Sequence, residues 1–311
     1  MYKRMLVPLD GSQLAEAVFP YAKELAGRLN IDVTLLYVCS RALSEFVPMH
    51  QAYVKQATEN VGRQIQEVQK KTGIRPAAKP VTVRGEVVVG SPPEEILRYA
   101  DENQVDLILM ATHGRSGMRR WVMGNVADKV LRAAKTPVLL VRSGIPDETP
   151  YDQWPKRTIL VPLDGSELAE KVLPHVEALA KQGGTELVDV VLIRVCEPLA
   201  VPSYYAPEVA EPTTINWGEF IQEDTIKSKR VAEEYLAGVE KRLKASHISV
   251  RSEVLGGKAG DEIADYANKH PFNLIVMATH GRSGLSRWVY GSVADNVLQG
   301  VCSPILLIRP R

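Results

Sequence analysis

The sequence predicts an α/β protein made of two tandem domains, each with a doubly wound sheet of five parallel strands. Three observations lead to this prediction: a long internal repeat, short β-branched segments that alternate with longer helical ones, and strands without in/out alternation. Strands that are apolar on both faces are typical of parallel sheets covered by helices. A chain of 311 residues is long enough for two such domains.

The repeat is visible in two segments. Residues 6–12 read Leu-Val-Pro-Leu-Asp-Gly-Ser, and the same seven residues return 154 positions later. The eight residues 110–117 return unchanged 167 positions later, so the second copy has a middle that is 13 residues longer. Between residues 105–142 and 272–309, 23 of 38 aligned positions are identical without a gap. The chain is therefore a duplication.

A proline-rich segment separates the two copies. Three prolines and a glycine between residues 143 and 155 rule out a regular element there. We therefore predict domain 1 at residues 1–143, a linker at 144–156 and domain 2 at 157–311.

Each copy follows the same predicted order of elements. In the first copy, strands are predicted at residues 5–9, 33–38, 81–87, 106–111 and 138–141. Helices are predicted there at residues 12–29, with a kink at Pro20, and at 54–71, 93–103 and 126–134. In the second copy, strands are predicted at residues 158–163, 189–195, 250–255, 274–278 and 305–308. The extra residues around 196–224 contain four prolines and predict a long mobile loop.

Composition limits the function classes. Lysine and arginine (38) nearly balance aspartate and glutamate (37), which argues against a generic nucleic-acid or acidic-membrane partner. The longest apolar runs are far shorter than the roughly 18 residues that span a bilayer. Because the N-terminus leads directly into a strand-like segment without a signal-type stretch, we expect a cytoplasmic protein. Cys39, Cys196 and Cys302 are expected to be reduced and mostly buried.

Two elements place informative residues at strand ends, where open parallel sheets bind ligands. The first is the aspartate at the end of strand one, Asp10 or Asp164, which can accept hydrogen bonds from a ribose hydroxyl or an adenine amine. The local sequence alone favours a helix N-cap instead, because aspartate and serine before a helix satisfy free backbone amides.

The second element is the glycine-containing turn after strand four. Gly114 is followed by nine residues and then by Gly124 at the start of a helix, and Gly281 and Gly291 repeat this spacing. Glycine lets backbone amides approach a phosphate, and the helix N-terminus adds partial positive charge. The arginine after the first glycine of each turn adds a full charge. A turn that only connects strand and helix is the alternative.

Together these motifs resemble those of the universal stress proteins, whose domain opens with Val-Pro-x-Asp-x-Ser. Nucleotide-binding members carry Gly-x-x-Gly, nine residues, then Gly-Ser or Gly-Thr. The resemblance covers both halves and implies a Rossmann-like domain of the adenine-nucleotide α-hydrolase type in each. It also implies ATP or AMP, with or without Mg2+, between the ends of strands one and four.

The resemblance implies a set of nucleotide-binding positions in each copy. In the first copy they are Pro8, Leu9, Asp10, Val38, Met110, Ala111, Gly114, Arg115, Gly124, Asn125 and Val126. In the second copy they are Pro162, Leu163, Asp164, Val195, Met277, Ala278, Gly281, Arg282, Gly291, Ser292 and Val293. The sequence departs from the family pattern at Ala111 and Ala278, which replace a glycine, and at Asn125, which replaces a hydroxyl residue. The second copy is therefore the better candidate site.

The resemblance implies a stress-response protein that binds adenine nucleotide without robust catalysis and acts through nucleotide-dependent conformation or partner binding. A slow ATP hydrolase and a ligand-free interaction module remain alternatives. The sequence has neither a phosphate-binding Gly-x-x-x-x-Gly-Lys-Ser/Thr loop nor a Gly-x-Ser-x-Gly elbow. No metal site or catalytic residue is predicted: His113 and His280 are interpreted as turn residues, and Trp121 and Trp288 as packing anchors.

The last strand of each copy is apolar, and an apolar strand at the edge of a sheet is expected to pair with another strand. The two strands can pair with each other, which makes an internal pseudo-dimer, or pair across chains, which makes a homodimer. The sequence does not choose between these arrangements.

Overall fold

The computed structural model of the chain describes residues 2–72, 80–112, 123–142, 157–198, 217–270, 272–280 and 291–310. The predicted linker and most of the predicted loop after residue 196 lie outside these ranges. The first half contains the strands β1 (Arg4–Leu9), β2 (Asp32–Cys39), β3 (Val83–Val89), β4 (Leu107–Ala111) and β5 (Val138–Val141). Its α-helices are α1 (Gln13–Glu16), α2 (Phe19–Leu29), α3 (Val47–Thr72), α4 (Pro92–Glu102) and α5 (Asn125–Ala133).

The second half repeats this order. Its strands are β6 (Arg157–Pro162), β7 (Val188–Cys196), β8 (Ser249–Gly256), β9 (Leu274–Ala278) and β10 (Ile305–Ile308). Its α-helices are α6 (Glu167–Glu170), α7 (Leu173–Gly183), α8 (Trp217–Ala245), α9 (Ala259–Lys269) and α10 (Ser292–Gly300). Short 3₁₀ helices lie at Arg41–Phe46 and Thr185–Leu187.

All ten strands belong to one sheet in the order β3-β2-β1-β4-β5-β10-β9-β6-β7-β8. Within each half the strands are parallel, and the strand order reverses between β1 and β4 and between β6 and β9. The predicted α/β fold with five parallel strands in each half is confirmed. The reversal points are the places where ligands bind in open α/β sheets.

Three predicted elements differ from the structure. The predicted first helix is two helices in the structure. The helix is interrupted at Ala17 and Val18, and Pro20 lies in the first turn of α2. Proline is favourable there, since the first turn of a helix has no partner for its N–H groups. Helix α3 begins seven residues before the predicted start at residue 54. The prediction of a loop as far as residue 224 is wrong, because α8 already begins at Trp217.

The two halves meet where β5 pairs antiparallel with β10, with Leu139 opposite Leu306. Each face of the sheet is covered by one apolar cluster that contains residues of both halves. Polar contacts add to this junction: the Tyr2 hydroxyl lies 2.8 Å from Nδ1 of His175, and the Gln182 amide donates to the carbonyl of Tyr2 at 2.7 Å. The halves therefore share a core instead of being connected only through the linker.

The cysteines are free thiols, as expected, but they differ in environment. Cys39 is buried, Cys196 is half-buried and Cys302 is exposed, so the expectation of burial is wrong for Cys302. None of the helices in the described ranges has both the length and the apolar character needed to span a membrane.

Candidate functional site

A cavity of about 530 Å³ lies at the reversal point of the second half. Its walls are the carboxyl ends of β6, β7 and β9, the first turn of α10 and parts of α8 and α9. The neighbouring strands β6 and β9 pair in parallel register, so Asp164 after β6 and Ala278 at the end of β9 reach the same edge of the sheet. The cavity falls within the range of about 300–1,000 Å³ typical of small-molecule sites.

Nine of the second-copy positions predicted from sequence line this cavity. They are Pro162, Leu163, Asp164, Val195, Met277, Ala278, Gly291, Ser292 and Val293. The other two, Gly281 and Arg282, lie outside the described residues. The tertiary structure therefore brings together residues that are up to 131 positions apart in the chain.

Asp164 belongs to a hydrogen-bonded turn that starts α6. Its Oδ1 accepts from the backbone N–H of Ser166 at 2.9 Å and from the Ser166 hydroxyl at 2.7 Å. The Ser166 oxygen in turn accepts from the N–H of Ala169 at 3.1 Å, so Ser166 is the N-cap. The aspartate therefore orients the capping serine, and its carboxylate is held at the cavity wall.

The same turn occurs in the first half, where Asp10 Oδ1 accepts from the Ser12 N–H and hydroxyl at 3.0 and 2.6 Å. We expect Ser12→Ala and Ser166→Ala each to lower the free energy of unfolding by about 1 kcal/mol, because each loses an N-cap. Urea denaturation measures this, with the exposed Ser249→Ala as the control. Equal stability of Ser166→Ala and the control would contradict the capping role.

Gly291 precedes α10, and its backbone conformation does not require a glycine. Its N–H donates to the carbonyl of Thr279 at 2.9 Å, which closes the turn after β9. Its φ of −61° and ψ of 150° are available to any residue. An added Cβ would lie 3.6 Å from the Thr279 oxygen, an ordinary contact. Among the described residues, neither backbone strain nor packing requires a glycine here, which favours a close approach by a ligand over a purely structural turn.

The cavity also has lining residues that the sequence did not predict. They are Ala169, Ile193, Arg194, Cys196, Glu197, Asp224, Lys227, Ser228, Val231, Ala259, Ile263, Thr279 and Ala294. Of those on α8, Asp224 falls within the predicted loop, and no helix was predicted for the residues that follow it. The helical spacing of Asp224, Ser228 and Val231 was the signal that could have identified them.

His280 also lines the cavity, next to Thr279, whose hydroxyl lies 3.1 Å from Nδ1 of His280. Its interpretation as a turn residue with access to the site agrees with this position. His113, Trp121 and Trp288 lie outside the described residues.

The first half places its predicted residues at the corresponding strand ends. Pro8 and Leu9 end β1, Asp10 follows them, Val38 lies near the end of β2, and Met110 and Ala111 end β4. The N–H of Gly124 donates to the carbonyl of Thr112 at 2.7 Å, and Asn125 and Val126 begin α5. Gly114 and Arg115 lie outside the described residues.

Comparison with known proteins identifies the family. The model of the universal stress protein family matches residues 1–142 and again residues 156–309. The chain belongs to the universal stress protein family. Both halves of this universal stress protein match, as the repeat predicts.

Relatives with the same tandem length are known. The protein is 25% identical over 308 residues to universal stress protein Rv2005c of Mycobacterium tuberculosis, covering 98% of this chain and 96% of that protein. A single-domain relative, universal stress protein MJ0531 of Methanocaldococcus jannaschii, is 29% identical over 142 residues, which are 46% of this chain and 83% of the relative. Duplication therefore separates tandem members from single-domain ones.

Solved structures support the fold. A universal stress protein from Archaeoglobus fulgidus superposes with a TM-score of 0.64 and 16% identity, covering 99% of this chain and 96% of that one. A functionally unknown protein, PA1789 from Pseudomonas aeruginosa, superposes with a TM-score of 0.66 and 18% identity, covering 99% and 93%. These likenesses extend across both halves.

Proposed function

We propose that this universal stress protein binds an adenine nucleotide, ATP or AMP, in the cavity of its second half. The observation that carries the proposal is the convergence of nine motif-related positions around one cavity at the reversal point of the strands. Binding acts through a change of conformation or of protein partner, and the protein works in the cytoplasm. The chemistry of the lining supports this assignment.

The cavity offers a different group to each part of a nucleotide. Val195 gives the base an apolar surface, and the carboxylate of Asp164 accepts hydrogen bonds from the ribose or the adenine amine. The first turn of α10, which lines the same cavity, presents the amides of Ser292 and Val293 to the phosphates, and the Ser292 hydroxyl adds a donor. Mg2+, where it accompanies ATP, neutralises part of the phosphate charge.

Slow ATP hydrolysis is the second candidate activity. Hydrolysis needs a group that activates water beside the terminal phosphate. The segment between β9 and α10, residues 279–291, contains no aspartate or glutamate, and Nδ1 of its one histidine, His280, lies 3.1 Å from the hydroxyl of the neighbouring Thr279. We therefore propose binding without rapid turnover.

Titration calorimetry tests the proposal with the full chain and with ATP, AMP and GTP, a control that has the same ribose and triphosphate as ATP but a different base. We expect saturable binding of ATP and AMP that is tighter than that of GTP, because the base packs on a shaped apolar surface. Phosphate release from ATP in the same sample measures turnover. If no adenine nucleotide binds at millimolar concentration, the ligand-free interaction module is the better description. Steady phosphate release that Asp164→Ala abolishes supports the hydrolase.

We also propose that the chain acts as an internal pseudo-dimer. The last strands of the two copies use their edges to pair with each other, which leaves β3 and β8 as the two edges of the ten-stranded sheet. This pairing supports a single chain as the functional unit. Nucleic acid and membranes are not proposed as partners.

A further inference from the structure

The two halves differ at one strand position beside the cavity. In the first half Pro8 pairs with Leu36, and in the second half Pro162 pairs with Ile193. Because the two prolines are equivalent in the repeat, the residues after their partners are equivalent as well. The register therefore aligns Tyr37 with Arg194.

Tyr37 is packed into the first half. It is 4% exposed, and its ring stacks on that of His50 with the centroids 4.1 Å apart. The ring of Tyr53 approaches it edge-on, with centroids 6.2 Å apart. This position of the first half therefore contributes an aromatic cluster, and no positive charge, near the strand ends.

Arg194 has a different environment, because it lines the second-half cavity. Its guanidinium carbon lies 5.1 Å from the centroid of the Tyr235 ring, which supports one face of the planar group. The group also lies against the turn that follows Asp164: a Cβ added at Gly165 would be 3.0 Å from Nη1 of Arg194. The guanidinium thus lies against Gly165, the residue that follows Asp164, at the wall of the cavity.

The guanidinium N–H groups of Arg194 have no acceptor among the residues that the structure describes. Within the described residues, the side chain of Arg194 makes no hydrogen bond and no ion pair. The nearby Glu197 carboxylate, which also lines the cavity, accepts instead from the backbone N–H of Ala259 at 3.1 Å. A half-buried guanidinium with five donors and a supported face is suited to an anionic oxygen.

We infer that Arg194 makes the second-half cavity selective for phosphorylated over unphosphorylated nucleosides, and that the first half, with Tyr37 at this position, lacks this selectivity. The inference rests on the proposed nucleotide binding. Arg194 contacts the ligand through charge-assisted hydrogen bonds, and an uncharged nucleoside gains nothing from them. The duplicated domains have thereby become different in ligand preference.

Calorimetry of the full chain with ATP, AMP and adenosine tests this inference. For the native chain we expect ATP and AMP to bind more tightly than adenosine. Arg194→Tyr, which introduces the first-half residue, should lower ATP affinity about tenfold and change adenosine affinity less than about twofold. Arg194→Lys keeps the charge but loses the planar group, so its loss should be smaller. Arg230→Tyr, an exposed site on α8 that does not line the cavity, is the control and should bind as the native chain does.

Each outcome has a distinct meaning. Unchanged ATP-to-adenosine preference in both folded Arg194 variants overturns the inference and leaves the proposed function intact. Equal loss of ATP and adenosine binding also overturns it, because Arg194 then maintains the shape of the cavity and does not recognise the phosphate. If the native chain binds none of the three ligands, the proposed function itself fails. Loss of ATP preference in Arg230→Tyr would show a general charge effect and would count against Arg194.

Discussion

Asp164→Asn is expected to weaken ATP binding about 10- to 100-fold, because hydrogen bonds to a charged group contribute about 1.5–3 kcal/mol. The asparagine retains a carbonyl oxygen that can accept the two bonds from Ser166, at 2.9 and 2.7 Å in the native chain. It loses the negative charge and one acceptor that the ribose or the adenine amine would use. Titration calorimetry of the full chain measures the difference.

The repeat supplies a matched control for this variant. Asp10→Asn makes the same change in a turn with the same hydrogen bonds, 3.0 and 2.6 Å from Ser12, but outside the second-half cavity. We expect it to leave the affinity of the second-half site unchanged. If both variants weaken ATP binding equally, the nucleotide does not bind in the second-half cavity alone. If Asp164→Asn does not weaken ATP binding, the Asp164 carboxylate does not contact the nucleotide.

Leu306→Ala is expected to lower the free energy of unfolding by about 2–5 kcal/mol. Leu306 is 2% exposed, pairs with Leu139 across the junction of β5 and β10, and belongs to the apolar cluster shared by both halves. Removing its side chain leaves a cavity where neighbours from two domains meet. Because the core is continuous, we expect both halves to lose stability together. Urea denaturation followed by circular dichroism measures the effect.

Leu187→Ala is the control for this variant. Leu187 is 41% exposed, so its truncation should change stability by no more than about 0.5 kcal/mol. If Leu306→Ala matches the control, the junction contributes little to stability, and the proposal of an internal pseudo-dimer loses its main support. Two separate transitions in the variant would show that the halves fold independently once the junction is weakened.

Local signals account for the elements that were predicted well. The strand at β4, with five buried residues, is apolar on both faces and needs no tertiary information to be recognised. The Asp-Gly-Ser turn is equally local, because its hydrogen bonds join residues two or three positions apart. The start of α8 was missed, since the proline-rich segment before it hides the helical spacing of Asp224 and Ser228.

The sequence by itself determined the duplication, the parallel α/β sheet of each half and the positions of the acids and glycines at strand ends. These features depend on residue identities and spacings within short segments, so local rules are sufficient to predict them. Only the tertiary structure decided that β5 pairs with β10 and that Arg194 and α8 border the cavity. Strand pairing and cavity walls join residues far apart in the chain, and their geometry follows from packing that no local spacing specifies.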